Sequence, residues 1–563
     1  MSKANIETII AALREYAQRS ELRGGNPYSA RAYARAADAL SILGEPLEPL
    51  IQQSRLQEIP SIGAATADLI TRLYHTGTDK RLEEMRKEVP AGVLEMLKVP
   101  GLRPDKVLKL YKTLGINSLG ALADAARSDR IKATKGLGAS LQTKILNNMA
   151  IAESGEDRLH IHRASALLDR AKTRLAAIRP ELTRLTAAGD LRRGCELVAD
   201  LSLVAQVKDE NSAEEKVRSS RLQLHLANKR DFGAALLHAT GSSSHLEQLK
   251  TRASRQGMRL DQNGLWKGPK LIAGASETDI YAALGLQFVE PELREGNDEI
   301  AKAAKHSLTK LVTDDDIKGI LHAHTDASDG VNPLEVMAAA TRKRGYTYFG
   351  VADHSKSAHY AGGLSIDEIE AQHREIDRLN KQFGKNFKIF KGIESDILAD
   401  GSLDYPDNVL SRFDFVVASV HNRFRLDRRE QTQRILRAIA NPYTTILGHM
   451  TGRQLLRRPG YDVDIEKLLK ACARHDVAVE INANPWRLDL DWRWHRRALK
   501  LGCMMSINPD AHSTDEIDLT HWGVKMARKG GVPKGRVLNC MTLSSLERYL
   551  QTRKAKSARA SAA

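Results

Sequence analysis

Six short segments in the second half of the chain gather histidine and carboxylate side chains: LHAHTDASDG (321–330), VADHS (351–355), GIES (392–395), SVH (419–421), GHMTGR (448–453) and NPDAHS (508–513). Side chains of an extended segment alternate with a period of two, so His322 and His324 point to one side, and Asp510 and His512 repeat that spacing. A carboxylate such as Glu394 can bridge two cations that imidazoles alone would leave repelling each other. Imidazole with carboxylate suits Zn²⁺, Mn²⁺ or Fe²⁺ rather than Ca²⁺. Clustered ions lower the pKa of a bound water and neutralise the non-bridging oxygens of a phosphate, which is the chemistry of phosphoester hydrolysis. Arg453, shortly after His449, is placed to contact that phosphate, as are Lys356 beside His354 and Arg423 and Arg425 after His421. The other histidines of this half (His359, His373, His475, His495, His521) read as core or surface residues. His160 and His162 form another His-x-His, but in a predicted helix they point about 200° apart and do not share a ligand.

These motifs need elements that end side by side. From residue 317 strand-like runs alternate with amphipathic helical ones: YFGVADH, KIFKGIESDI, FDFVVASVH, TTILGHM, AVEINANP and CMMSINPDAH each end in polar residues. The alternation predicts parallel β/α units closing as a barrel over 317–550, with the site at the C-terminal ends of the strands. Asn482, Asn484 and Pro485 read as a loop ordering the barrel mouth, with Trp486 as packing. Residues 1–155 have apolar residues at helical spacing, and 156–313 mix helices with short β-like runs. Residues 551–563 form a small basic tail, expected to be disordered. The fold class is thus multidomain, α plus α/β.

Charge is local. The net +16 is an excess of Lys and Arg in three places: 101–150 holds 9 against 3 acids, 401–500 holds 18 against 12, and 551–563 holds 4 against none. A polycation throughout is excluded, and local basic regions suit phosphate. The first part also carries three glycine turns between helices, in IPSIGAATADLI, VPGLRPDKVLKLY and TKGLGASLQTKIL. Such a helix–hairpin–helix turn bares backbone N–H groups and a helix N-terminus, which hold phosphate without reading sequence. Gly63, Gly101, Gly136, Gly138 and Lys135 are the candidate DNA contacts. Ser61 and Arg103 stand where that pattern often has glycine.

The run AAGDLRRGCELVADLSLVAQV (187–207) resembles the palm signature of family X DNA polymerases. DFGAALLHATGSSSH (231–245), MRLDQNGLW (258–266) and EPELREGNDEI (290–300) look like the same family. The six histidine motifs resemble, in order and spacing, those of the PHP phosphoesterase domain found in the bacterial form of that family, so the likeness covers nearly the whole chain. It implies a helical helix–hairpin–helix DNA-binding domain (1–155), a nucleotidyltransferase-like palm with thumb (156–313) and a distorted β/α barrel (317–550).

The same likeness implies nine metal ligands: His322, His324, Asp329, His354, Glu394, His421, His449, Asp510 and His512. They would hold up to three ions, one by His322, His324, Glu394 and Asp510, the second by Glu394, His421 and His449, and the third by Asp329, His354 and His512. Mn²⁺ or Zn²⁺ are the expected cofactors, with Glu394, Asp510 and Arg453 nearest the reaction. In the palm the family's three aspartates fall at Asp200, Ser202 and Gln223, and Asp190 replaces a serine that would meet the triphosphate. Two missing charges predict a degenerate polymerase site whose Arg192 and Arg193 still hold DNA.

The leading expectation is a metal-dependent DNA phosphodiesterase in DNA repair: a 3′→5′ exonuclease or 3′-end processing enzyme, with abasic-site cleavage, acting on gapped, nicked or damaged duplex. The alternatives are an active gap-filling polymerase with a PHP exonuclease, an inert DNA-binding scaffold, and a small-molecule phosphoesterase. No apolar run of membrane-spanning length is present, the N-terminus does not look like a signal peptide, and the four cysteines form no CxxC. A cytoplasmic, nucleoid-associated protein is expected.

Overall fold

The computed structural model describes residues 3–153, 158–207, 217–218 and 221–562. The chain forms two compact units, one running to His306 with Leu456–Arg458, the other from Ser307 to Leu455 and from Pro459 onward.

The first unit opens with helices. Ile6–Leu22 starts at Asn5, whose side chain accepts from Thr8 N at 2.8 Å, and its apolar face (Ile9, Leu13, Tyr16) packs on Leu40, Leu50, Ile70 and Leu73. A second helical core gathers Val93, Met96, Val107, Leu110, Leu122, Ile131 and Ile145. The three glycine turns prove to be one structure repeated. Ile62 N donates to Ile59 O at 3.1 Å, Leu102 N to Val99 O at 3.0 Å, and Leu137 N to Thr134 O at 3.1 Å. In each, the third residue has positive φ: Ser61 at 75°, Gly101 at 75° and Gly136 at 82°. This is the four-residue turn that wants proline second and glycine third, and Pro60 and Pro100 occupy the second place in two of them. Ser61 takes the same backbone at a cost of about 1–2 kcal/mol, so the missing glycine does not remove the first hairpin. Helices follow directly, at Ala64–Thr76, Pro104–Leu114 and Gly138–Glu153.

The palm is a four-stranded sheet in which Leu201–Gln206 lies between antiparallel Thr183–Ala188 and parallel Leu222–Ala227, with Val217–Arg218 at the edge. A three-stranded meander (Arg259–Asp261, Gly264–Lys267, Lys270–Ala273) follows. His160 departs from the expected helix. It lies in a two-residue strand, Leu159–His160, and caps the helix Ile161–Ile178, so its ring sits 5.7 Å from that of His162 instead of diverging from it.

Buried charge ties this region together. Arg294, fully buried, donates to Glu277 Oε1 at 2.5 Å, and Arg192 donates to both oxygens of the same carboxylate at 2.7 and 2.6 Å. Burial pushes the Glu277 carboxyl up, but the two guanidinium groups outweigh it and hold it below its usual range.

The second unit is a seven-stranded parallel sheet in sequence order. Its strands are β1 (Gly319–Ile320), β2 (Tyr348–Val351), β3 (Lys388–Asp396), β4 (Phe415–Ser419), β5 (Ile446–Leu447), β6 (Ala478–Asn482) and β7 (Met505–Asn508). Ala323 and Ala511, beyond the ends of β1 and β7, form a parallel bridge in which His324 N donates to Ala511 O at 2.8 Å, so the sheet nearly closes. β2, β4, β6 and β7 are buried along their whole length, as parallel strands under helices must be. The expected disordered tail is instead the end of a helix, Leu543–Ala562. Its run of alanine, lysine and arginine has high helix propensity, and Arg553 fastens it by donating to Thr444 O at 2.6 Å.

Replacing Glu277 by Ala strands the buried Arg294 guanidinium. It should cost the first unit about 3–5 kcal/mol, read from denaturant unfolding of the full chain at pH 7; a loss under about 1 kcal/mol would contradict the pairing. Because the folded carboxyl lies below the unfolded value of about 4.3, the difference from wild type should shrink as pH falls through the folded value.

Candidate metal centre

The strand ends of the barrel carry the expected side chains inward. His322 and His324 follow β1, His354 follows β2, Glu394 lies within β3, His421 follows β4, His449 follows β5, and Asp510 and His512 follow β7. β1 and β5 have only two residues each, so the chain leaves the ladder just before its histidines.

All nine residues come together. Glu394, 1% exposed, is the hub: Oε1 lies 3.0 Å from His449 Nε2, 3.3 Å from His421 Nε2 and 3.4 Å from His322 Nε2, while Oε2 lies 2.9 Å from His354 Nδ1 and 3.7 Å from His324 Nε2. Asp510 Oδ1 is 3.1 Å from His324 Nε2 and 3.6 Å from His322 Nε2. Asp329 Oδ1 is 3.3 Å from His512 Nε2 and 3.5 Å from His354 Nε2. Asp510 holds this place at a φ of 53°, a backbone that aspartate tolerates better than most residues.

Three groups have ligand atoms close enough to share an ion: His324 with Asp329, His354 and His512; His322 with His324 and Asp510; and His354 with Glu394 and His421. The grouping differs from the one expected. His324 also faces the Asp329 group, its ring stacked on that of His354 at 4.4 Å, and His354 joins Glu394 and His421, where His449 also lies, 3.0 Å from Glu394 Oε1.

The donor set fits divalent cations. His322 Nε2 and His324 Nδ1 are buried without a hydrogen bond, as are His449 Nδ1 and Glu394 Oε2. His354 Nδ1 is near Glu394 Oε2 but out of line for a hydrogen bond, as expected of atoms aimed at a common ion. Burial pushes the Glu394 and Asp510 carboxyls up, but the surrounding imidazoles hold both well below the carboxylate range. Burial lowers His421, and Glu394 and Asp396 more than compensate, raising it to about 10. His324, among other imidazoles, is driven down to about 3 by burial and His354.

Three further carboxylates hold the cluster from behind, Glu480 and Asp396 outside the six motifs and Asp353 within VADHS. Glu480, fully buried on β6, accepts from His449 N at 2.7 Å and Asn508 Nδ2 at 3.0 Å, and lies 2.7 Å from His322 Nδ1. Asp396 lies 2.6 Å from His421 Nδ1. Asp353 accepts from Thr325 N and Oγ1, each at 2.7 Å, and from Ser328 Oγ, fixing the loop that bears Asp329. The signal for the first was a lone acid in the apolar run AVEIN. For the second it was the period-two spacing of Asp396 from Glu394, which puts both on one face of β3.

Arg453 is placed otherwise than expected. Arg453 does not face the cluster freely. It is 14% exposed and donates to Arg487 O at 3.0 Å, to Asp491 Oδ2 at 2.7 Å and to Leu488 O. It therefore braces the loop 487–491, and Arg487 from that loop lies 3.8 Å from Asp510. Lys356, Arg423 and Arg425 are exposed.

In the palm, Ser202 and Gln223 are direct partners on neighbouring strands, and Asp200 precedes the first of them, exposed. Arg192 and Arg193, expected at DNA, are only 18% and 14% exposed; Arg192 is held by Glu277, and Arg193 donates to Asp190 and, at 3.1 Å, to Glu295. Their guanidinium groups are committed to carboxylates of their own unit. Gly101 and Gly136 lie under the side chains of Lys144 and Lys109, and open space lies before Gly63 and Gly138. Lys135 is exposed.

Relatives agree with this architecture. Residues 6–79 match the helix-hairpin-helix domain family, 235–295 the DNA polymerase beta thumb and 321–484 the PHP domain. A protein of Bacillus subtilis (strain 168) named DNA polymerase/3′-5′ exonuclease PolX is 33% identical over 96% of this chain and 99% of its own length. A probable phosphatase of Thermoanaerobacter sp. (strain X514) is 26% identical over 42% of this chain and 95% of its own. A probable phosphatase of Aliivibrio fischeri (strain MJ11) is 28% identical over 35% and 78%. Polymerase-type thumb and helix–hairpin–helix elements together with a PHP barrel define a class of DNA-processing enzyme. The chain belongs to the family X DNA polymerases that carry a C-terminal PHP domain.

Removing the carboxylate behind His322 and His449 should weaken the centre without deleting a ligand. Glu480→Ala is expected to lower divalent-metal affinity by about 10–100-fold, measured by competition with a chromogenic chelator. Unchanged affinity would mean that Glu480 does not orient the ligands.

Proposed function

We propose that this protein is a metal-dependent DNA phosphodiesterase that trims or unblocks 3′ ends and cleaves at abasic sites in DNA repair, and that its palm no longer transfers nucleotides. The observation that carries the reading is the convergence of six imidazoles and three carboxylates around Glu394 at one end of the barrel. Up to three ions, Mn²⁺ or Zn²⁺ by the chemistry of the donors, would be held by His322, His324, Asp329, His354, Glu394, His421, His449, Asp510 and His512. Bound cations would neutralise phosphate oxygens and acidify a water. Glu394 keeps the imidazoles together, Glu480 and Asp396 set which ring nitrogen of His322 and His421 faces inward, and Arg487 offers a cationic side chain beside Asp510. Arg453 acts through the Arg487 loop.

The substrate is argued from the first unit. Three identical turns open helices with bare amides, and lysines lie over two of them, which favours sequence-neutral grip of a gapped, nicked or damaged duplex. Gly63, Gly101, Gly136, Gly138 and Lys135 are the proposed phosphate contacts. The name of the Bacillus relative includes both activities. Its exonuclease half agrees with the barrel, whereas Ser202 and Gln223 bring no charge to hold cations in the palm. The Asp190–Arg193 pair further takes up an arginine that a triphosphate would need. Relatives named phosphatases match less than half of this chain, and the helical DNA-binding elements weigh against a small-molecule substrate. Acting on DNA, the protein would work at the nucleoid; among the described residues no helix is long and apolar enough to cross a membrane.

His324→Ala and Glu394→Ala should each abolish Mn²⁺-dependent hydrolysis of end-labelled gapped DNA while duplex binding survives in a gel-shift assay. Hydrolysis at the wild-type rate in both would remove the barrel from the reaction. Binding by the wild type should weaken steeply with salt, since backbone contacts release counterions; affinity independent of salt would contradict the phosphate-grip reading.

A further inference from the structure

Tyr360 is 71% exposed, yet its ring lies 6.2 Å from the His354 ring and 6.5 Å from the His421 ring. A large aromatic open to solvent at the edge of a buried metal-ligand cluster has no packing role to explain it. Its neighbours in the turn do: Ala358 and Ala361 are buried, 0% and 3% exposed. The turn itself is stiff. Ala358 N donates to Ser355 O at 2.9 Å, Ala361 N to Ala358 O at 2.9 Å, and Leu364 N to His354 O at 2.9 Å. Tyr405 clamps it from behind, accepting from Lys356 N at 3.0 Å and donating to Leu364 O. The ring is thus presented on a fixed base tied to a candidate ligand, as a binding surface should be.

We propose that Tyr360 is the platform on which the base of the 3′-terminal nucleotide stacks while its phosphodiester lies at the metal centre. A nucleobase is the part of this substrate with a flat apolar face, and stacking on an aromatic ring accepts any base. That matches an enzyme that must trim ends of arbitrary sequence, and it makes Tyr360 a positioning residue for substrate. The inference rests on the DNA phosphodiesterase reading.

The test compares two gapped duplexes, one ending in a 3′ adenine nucleotide and one in a 3′ tetrahydrofuran residue that lacks a base. Wild-type protein with Mn²⁺ should show the lower KM on the adenine end. Tyr360→Ala should raise KM on that end by roughly 5- to 150-fold, the span of one base–aromatic stack, with kcat nearly unchanged because the stack holds substrate and transition state alike. Its kinetics on the tetrahydrofuran end should stay at wild-type values, which also reports an intact metal centre. Tyr360→Phe should restore the adenine preference. An unchanged KM in Tyr360→Ala, an equal loss on both ends, or a Tyr360→Phe loss as large as that of Tyr360→Ala would each overturn the inference alone. If the wild type cuts neither duplex, the phosphodiesterase reading fails and this inference fails with it.

Discussion

Buried charge must be balanced, and the barrel is organised around that constraint. Glu394 and Asp396 are 1% exposed, and Glu480 is fully buried. An isolated carboxylate in that position would be prohibitively costly. Here each carboxylate meets imidazoles, and key imidazoles are held by a second group behind them: His322 by Glu480, His421 by Asp396, and His512 by the Asp510 carbonyl at 2.9 Å. The arrangement fixes ring orientation before any ion arrives and leaves several ring nitrogens directed inward without partners. Short strands and the left-handed backbone at Asp510 follow from the same demand, because the chain must turn its polar residues inward where the ladder ends.

The first unit treats charge differently. Its palm neutralises its own cations: Glu277 takes Arg192 and Arg294, and Asp190 and Glu295 take Arg193. In the region that resembles a nucleotidyltransferase, Ser202 and Gln223 bring no charge beside Asp200, and Arg192, Arg193 and Arg294 are taken up by carboxylates of the same unit. What remains open in this unit is backbone, in three copies of one turn. The proposed division of labour is neutral backbone grip in the first unit and metal chemistry in the second.

Much of this was legible in the sequence. The buried strands of the barrel read as continuous apolar runs, and polar residues at their ends marked the site, because a parallel sheet leaves only its strand ends free for chemistry. His322, His324 and Asp510 with His512 were visible through period-two spacing. Glu480 and Asp396 were harder, since a carboxylate that supports a ligand has no motif of its own. The roles of Arg192 and Arg193 are not legible locally because their partners lie far along the chain, Glu277 85 residues from Arg192 and Glu295 102 residues from Arg193. Arg453 looked like a phosphate contact by proximity to His449, but the loop it braces comes from a later strand. Ser61 stands where the pattern often has glycine, and the turn keeps the same backbone there at a φ of 75°. The small basic composition of the C-terminal segment suits disorder, but alanine and basic residues also favour the helix it forms.

The central proposal is that the barrel carries the chemistry and that the palm no longer transfers nucleotides. The most direct measurement follows a 5′-labelled primer on a gapped duplex, with Mn²⁺ and all four deoxynucleoside triphosphates present together. The account predicts progressive shortening of the labelled strand from its 3′ end and no products longer than the primer. Robust extension into the gap, with no shortening when the triphosphates are left out, would contradict it.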